Sequence, residues 1–199
     1  NPGLSSLYEG YVAALRETLG ALDLAALSRI EGAIAELFLT DRLLLIAGNG
    51  GSAATASHMA CDFGKTTLGR QPAEARKRLR AIALSDCAAT LTAYGNDVGY
   101  DSVFAEQVKT LARPGDGFLA ISASGNSPNI VRALEAARQC GATTIALLGF
   151  DGGQALGLAD FALVVASTDY GIVEDAHSVA MHMLTQRLRE VVAAHQTDR

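Results

Sequence analysis

The chain has 199 residues, of which 49% are apolar and 19% charged, with a formal net charge of −5. That length fits one ordinary domain able to bury a core without disulfide or metal support, and the composition excludes disorder. The acidic balance leaves no broad basic face, and the densest basic cluster, RKRLR at 76 to 80, runs into an apolar stretch, so direct nucleic-acid binding is not expected.

The elements follow in chain order. Leu4, Leu7, Tyr8, Tyr11, Val12, Leu15 and Leu19 recur at spacings of three and four, as do Leu27, Ile30, Ile34, Leu37 and Phe38, predicting two amphipathic helices over about 3 to 39. The period then changes. RLLLIAG is a short continuous apolar run ended by glycine, the mark of a strand covered on both faces, and LRAIAL (79 to 84), DGFLAIS (116 to 122), TTIALLG (143 to 149) and DFALVVA (160 to 166) repeat it. Helix-length segments lie between them at roughly 52 to 68, 87 to 95, 102 to 112, 127 to 140 and 153 to 158. Strands that alternate with helices need crossovers, which predicts a three-layer αβα sandwich on a five-stranded parallel sheet. The segment from 171 to about 195 carries Ile172, Val173, Ala176, Val179, Ala180, Met183, Leu184 and Leu188 along one side and reads as a long packed terminal helix. GRQPAEARKR (69 to 78) reads as a polar, mobile loop.

Cys61, Cys87 and Cys140 are odd in number and lack CxxC spacing, which points to a reducing, cytoplasmic setting rather than a disulfide framework or zinc knuckle. No apolar run approaches the roughly 20 residues of a membrane span. No basic and apolar leader opens the chain, which is therefore expected to be unexported; it begins NPGLSS without methionine, as expected after trimming.

Two loops share one design. LLLIAGNGGSA (43 to 53) and FLAISASGNSP (118 to 128) each run from apolar strand through a Gly, Ser and Asn loop into a helix start. In the first, Gly48, Gly50 and Gly51 permit close backbone approach and Ser52 places a hydroxyl at the helix N-terminus, an anion cradle. Read as GxGxxA it also resembles a dinucleotide fingerprint, but the required acidic residue about 20 positions on is absent, the second strand ending only near Ser85 and Asp86. A Walker A reading of GKTT (64 to 67) fails because Met59 stands where glycine is required. No nucleotide cofactor is expected. The second loop offers Ser122, Ser124, Asn126 and Ser127 without lysine or arginine, a set suited to a phosphate monoester held by neutral donors. Any one serine alone is equally an N-cap.

Histidine and carboxylate also cluster. His58 and Asp62 share a helix face at i, i+4, and small neighbours in ATASHMAC suggest that His58 is buried. Glu174, Ser178 and His182 repeat the spacing on the terminal helix, with His177 beside them, whereas His195 is expected to be solvent-exposed. An isolated pair of this kind is most often a surface ion pair.

AGNGGSA, SHMACDF, AYGNDVGYDSVFAEQV, ISASGNSPNIVRALEAAR and LLGFDGG, in this order, resemble a sugar isomerase (SIS) domain, and within it the phosphoheptose isomerases. The resemblance runs from about residue 4 to the end and implies a single flavodoxin-like domain over 1 to 199, a homotetramer, and sites built where subunits meet. It implies isomerisation of sedoheptulose 7-phosphate to a heptose 7-phosphate. Ser52, Ser122, Ser124 and Ser127 would hold the phosphate, with Asn49, Gly50, Gly51, Asp97, Asn126 and Glu174 around the sugar. Asp62 would be the base and His182 its acid partner, and His58, Asp62, Glu174 and His182 would hold a zinc ion. Asp62 stands where the family has glutamate, Glu174 where it has glutamine, and Ala123 where threonine is frequent. The two other functions implied by such a fold are a noncatalytic phosphosugar-binding or scaffold module, of the replication-initiator-associating type, and isomerisation of a different phosphosugar.

Overall fold

The computed structural model describes residues 3–69 and 77–197, side chains being described to residue 195. Two helices, α1 (Leu4–Gly20) and α2 (Leu24–Leu39), precede strand β1 (Leu43–Gly48) and helix α3 (Gly51–Gly64), which ends in a 3₁₀ turn at Thr66–Leu68. Strand β2 (Arg80–Ala83), helices α4 (Ala88–Asp97) and α5 (Val103–Leu111), strand β3 (Gly117–Ser122), helix α6 (Pro128–Gln139) and strand β4 (Thr143–Gly149) follow. The chain closes with α7 (Gly153–Leu156), strand β5 (Phe161–Val165) and the 28-residue α8 (Tyr170–Thr197). The predicted elements are all present, with ends shifted by one to four residues. The segment expected to be a mobile loop, 69 to 78, lies largely outside the described residues.

All four strand pairings are parallel and the order is β2-β1-β3-β4-β5. The register pairs Leu45 with Phe118 and Ile121 with Leu147. The winding direction therefore reverses between β1 and β3, the point at which open α/β sheets leave a crevice beyond their strand C-termini. Alternation along each central strand divides the core in two. Leu44, Ile46, Leu119, Ile121, Ile145 and Leu147 pack beneath α2, α3 and α8. Leu45, Ala47, Phe118, Ala120, Ala146 and Leu148 pack against α5 and α6. Burial of both faces explains why these strands read as unbroken apolar runs.

Three expectations are corrected. Strand β2 lies at the sheet edge, and Ile82 is 45% exposed, so this apolar run is not covered on both faces. Met181, not Met183, faces the core from α8, because the helix meets both α2 and α3 and buries a wider arc than one stripe. Helix α1 buries none of its residues, and Leu4 is 82% exposed. It is tied to α8 by the Tyr11 hydroxyl, which donates to Asp175 Oδ2 at 2.8 Å; that bond to a carboxylate pushes the phenol up to about 12.

His177 is 1% exposed and its Nε2 lies 3.0 Å from the Leu148 carbonyl oxygen. Burial pushes its pKa below the ordinary value of 6.5. Below pH 6.5 the unfolded chain takes up a proton that the folded chain refuses, so stability is lost as pH falls, by up to ~1.4 kcal/mol per pH unit for this one group. Chemical denaturation at pH 5.5 and 7.5 is expected to show wild type losing stability toward the lower pH, with a smaller loss for His177→Gln, which keeps a donor for Leu148.

Candidate functional site

The two similar loops meet at the β1–β3 reversal. Asn49, Ser52, Ser122, Ala123, Ser124, Ser127, Tyr170 and Glu174 line a cleft of about 150 Å³ there. Helices α3 and α6 both begin at it, and the first N–H groups of a helix have no intrahelical acceptor and carry the positive end of its dipole. Gly50 enters α3 at φ +53°, a conformation that a side chain would strain. Ser122 Oγ accepts from Gly125 N at 3.2 Å and Ser124 Oγ accepts from Asn126 N at 3.3 Å, leaving each hydroxyl proton for a ligand. Ser127 occupies the N-cap of α6 but makes no side-chain capping bond, so it does not fill the structural role that a serine there usually has. Two helix ends and four hydroxyls, with no basic side chain in the lining, suit a phosphate ester. A cleft of this size is smaller than the ~300–1,000 Å³ of a complete small-molecule site, so it matches one anionic group of a larger ligand.

The second cluster lies along the two helices. Gly51 sits against the Glu174 carboxylate, where a Cβ would collide with it, and the ring centroids of His58 and His182 are 5.1 Å apart. Residues 51 to 58 of α3 therefore track 174 to 182 of α8, so the helices run in the same direction and place the histidines about 10–12 Å from the cleft, at 1.5 Å per residue. His58 Nε2 is 3.6 Å from Asp62 Oδ2, while Thr66 Oγ1 donates to Asp62 Oδ1 at 2.8 Å and orients the carboxylate. His58, Asp62 and His182 offer ligand atoms that all lie within 4.8 Å of one another. Two imidazoles and a carboxylate are a donor set that suits zinc with an open position.

Not every expected residue joins these groups. Glu174 stands outside the His58, Asp62 and His182 group, and the Ser178 hydroxyl bonds to the Glu174 carbonyl of its own helix. The Asn126 amide braces its loop, donating to Ser124 O at 3.0 Å and accepting from Gln154 N at 3.0 Å. Asp97, exposed at the end of α4, accepts from Asn96 Nδ2 and is not part of the cleft lining. The His58 side chain is 52% exposed rather than buried, because its small neighbours turn inward and leave it on the outer side of α3. His195 is half-buried edge-on against Phe38 at 5.4 Å, where solvent exposure was expected. Tyr170 escaped the sequence reading; its ring packs at 5.0 Å on Phe150, which holds a left-handed φ of +52°. Asn129 also escaped it, since an asparagine one residue after a helix-starting proline reads as a cap signal.

A doubly wound sheet with hydroxyl-rich loops at its switch point and a histidine–carboxylate group ten ångströms away defines an α/β domain equipped for phosphate esters and acid–base chemistry. The SIS domain pattern matches residues 7–149. The phosphoheptose isomerase of Trichlorobacter lovleyi is 43% identical over 166 residues, covering 83% of this chain and 82% of that protein. That of Chlorobium phaeobacteroides is 44% identical over 177 residues, covering 87% and 76%. The solved phosphoheptose isomerase of Francisella tularensis superposes with a TM-score of 0.84 at 32% identity over 94% of this chain and 96% of that one. The chain belongs to the SIS-domain family, in its phosphoheptose isomerase branch.

The Glu174 carboxylate occupies the end of α3 that an incoming phosphate would use. Two like charges about 4 Å apart cost about 1 kcal/mol even in bulk-water dielectric. Glu174→Gln is therefore expected to tighten binding of inorganic phosphate by ~5-fold or more, read by isothermal titration calorimetry at constant pH.

Proposed function

We propose that the chain is an aldose–ketose isomerase that converts sedoheptulose 7-phosphate to a heptose 7-phosphate. The observation that carries this reading is the spacing of the two groups. The six C–C bonds of an open seven-carbon chain, at about 1.5 Å each, span roughly 8 Å. A phosphate in the cleft then brings C1 and C2 to the histidine–carboxylate group about 10–12 Å along α3 and α8. The names of the relatives, phosphoheptose isomerases at 43% and 44% identity, support the same substrate.

In this reading Ser52, Ser122, Ser124 and Ser127 and the α3 and α6 N–H groups hold the phosphate, so that binding energy positions the reacting carbons. Asp62, oriented by Thr66, takes a proton from C1 while His182 gives one to the C2 oxygen, forming the enediol. Asp62 returns its proton to C2 while His182, having given up its own, takes the O1 proton, which leaves the C1 aldehyde and restores both groups. No electron acceptor is needed. His58, Asp62 and His182 fit a zinc ion, which when bound supplies a Lewis acid that polarises a carbonyl oxygen. Asp97 and Asn126 enter as sugar contacts only if the loops that carry them close over a ligand, and Glu174 joins the metal ligands only by leaving Gly51.

The whole of 1–199 is read as one SIS domain working as a homotetramer in the cytoplasm. The three free cysteines support a reducing compartment, and none of the described helices is long and apolar enough to cross a membrane. Assembly is supported by α1, a 17-residue helix that buries no residue while Leu7 is 62% and Tyr8 66% exposed. An isolated helix of that length is marginal in water, and a second copy supplies the missing contacts. The paired change Leu4→Glu with Leu7→Glu is expected to lower the solution mass, read by light scattering.

The test of activity is direct. Purified protein with sedoheptulose 7-phosphate in D₂O, with and without zinc, is expected to exchange the C1 proton by NMR. Asp62→Asn is expected to slow exchange by at least ~10²-fold, the usual scale for losing a general base. Absence of exchange in wild type under every metal condition overturns the heptose reading, and undiminished exchange in Asp62→Asn overturns the assignment of the base.

A further inference from the structure

Asn49 follows the last residue of β1 and lines the phosphate cleft. Its side-chain amide is engaged on both atoms. Asn49 Nδ2 donates to Asn129 Oδ1 at 2.9 Å, and Asn129 Nδ2 returns a bond to Asn49 Oδ1 at 2.9 Å. The Tyr100 hydroxyl donates to the same Asn49 Oδ1 at 3.0 Å. Asn129 is 2% exposed and sits in the first turn of α6, whereas Tyr100 opens the short 3₁₀ turn between α4 and α5. Three separate pieces of chain therefore converge on one amide.

A primary amide has two N–H donors and an oxygen with two lone pairs. Here both lone pairs are taken and one N–H is spent, so a single N–H is left to face the cleft. We propose that Asn129 and Tyr100 are positioning residues that lock the Asn49 amide as a pure hydrogen-bond donor toward the ligand. The site then requires an oxygen that accepts at this point, such as a carbonyl or hydroxyl oxygen of the sugar. An analogue without that oxygen leaves the amide N–H unpaired and is rejected. The reciprocal pair also couples the two loops, since it joins Asn49, two residues before α3, to the second residue of α6. A ligand that orders one loop thereby orders the other. The inference deepens the isomerase reading and rests on it for the identity of the sugar, but the geometry of the amide does not.

Two measurements test it. Titration calorimetry with sedoheptulose 7-phosphate is expected to show Tyr100→Phe weakening binding about 3- to 10-fold, the usual effect of one lost hydrogen bond, and Asn129→Leu, which removes two, weakening it at least as much. In an Asn49→Ala background neither change is expected to weaken it further. Equal losses with and without Asn49, or no loss from Tyr100→Phe in the wild-type background, overturn the proposal. Thermal unfolding of each variant separates loss of fold from loss of positioning, and Tyr100, 55% exposed, carries the test if Asn129→Leu does not fold. Hydrogen exchange of the Asn49 side-chain amide, followed by ¹⁵N NMR without ligand, reads the lock itself. Protection in wild type that falls in Tyr100→Phe supports it, and an unprotected wild-type amide overturns it. If wild type does not bind the heptulose phosphate, the substrate reading fails and this second measurement still decides the role of Tyr100.

Discussion

The reversal of winding between β1 and β3 is the constraint on which the site depends. With strand order β2-β1-β3-β4-β5, the connections leaving β1 and β3 run to opposite faces of the sheet, and no crossover covers the gap between them. Two helix N-termini are left facing one space, each with unsatisfied N–H groups. A fold must hydrate such groups or give them a ligand. Here four serines and an asparagine share the lining with Ile121, Ala123, Tyr170 and the Glu174 carboxylate, which supplies hydrogen-bond donors without a fixed positive charge. The selectivity then comes from hydrogen-bond geometry, because a neutral cradle gives an anion little help unless its donors are already aimed. The bonds within the 122–127 loop, with Gly125 at φ +64° against the Gly152 carbonyl, supply that aim before any ligand arrives.

The second dependence is the parallel course of α3 and α8. Because α3 begins at the cleft, every further turn along it is a fixed distance from the bound anion, at 5.4 Å per turn. His58 and Asp62, two and three turns in, are placed by the helix itself and need no loop to hold them. The long α8 matches this spacing from the other side, with Glu174 beside the first turn and His182 beside His58. The core beneath explains the rigidity of the pairing. Ala56, Met59 and Phe63 from α3 and Ala180, Met181 and Leu184 from α8 are all buried in one cluster on the same sheet face. Side chains on the outer sides of two helices packed in this way keep their distance from the cleft, which under the proposed function would suit a ligand of matching chain length.

The layers were legible because strands buried on both faces produce unbroken apolar runs and helices do not. The cradle was legible for a related reason, since its serines and glycines lie in two contiguous stretches. What could not be read was set by neighbours distant in sequence. The exposure of β2 follows from its place at the sheet edge, which a run such as LRAIAL does not encode. The apolar spacing of α1 correctly gave a helix, but not the surface that its apolar side would meet. Asn126 sits among the serines yet turns away to brace the Gly152 turn, whereas Asn129 is hidden in a helix start and reaches Asn49 across 80 positions. Side chains in one motif need not share one direction. Tyr170 reaches the cleft only because α8 returns to it after β5, and nothing near it in sequence marks that return.

The departures at Asp62 and Glu174 act differently, one on the length of a side chain and the other on local charge. Aspartate is one methylene shorter than the glutamate that the family resemblance leads one to expect, and its carboxylate stays close to the α3 backbone, within reach of Thr66 and His58. A shorter carboxylate is held more firmly but reaches less far, and if Asp62 is the base as proposed, about 1 Å of misplacement can cost on the order of 10²-fold in rate. Glutamate at 174, where the resemblance leads one to expect a neutral amide, places a charge beside Gly51 at the helix end that favours anions. Without ligand that position stabilises the carboxylate. With a phosphate in the cleft the same charge would be repelled, and the donor group of His58 and Asp62 on α3 with His182 on α8 lies farther along the two helices. Under the proposed function the first departure shortens the arm of the base, and the second provides a carboxylate whose best place depends on whether a phosphate is bound.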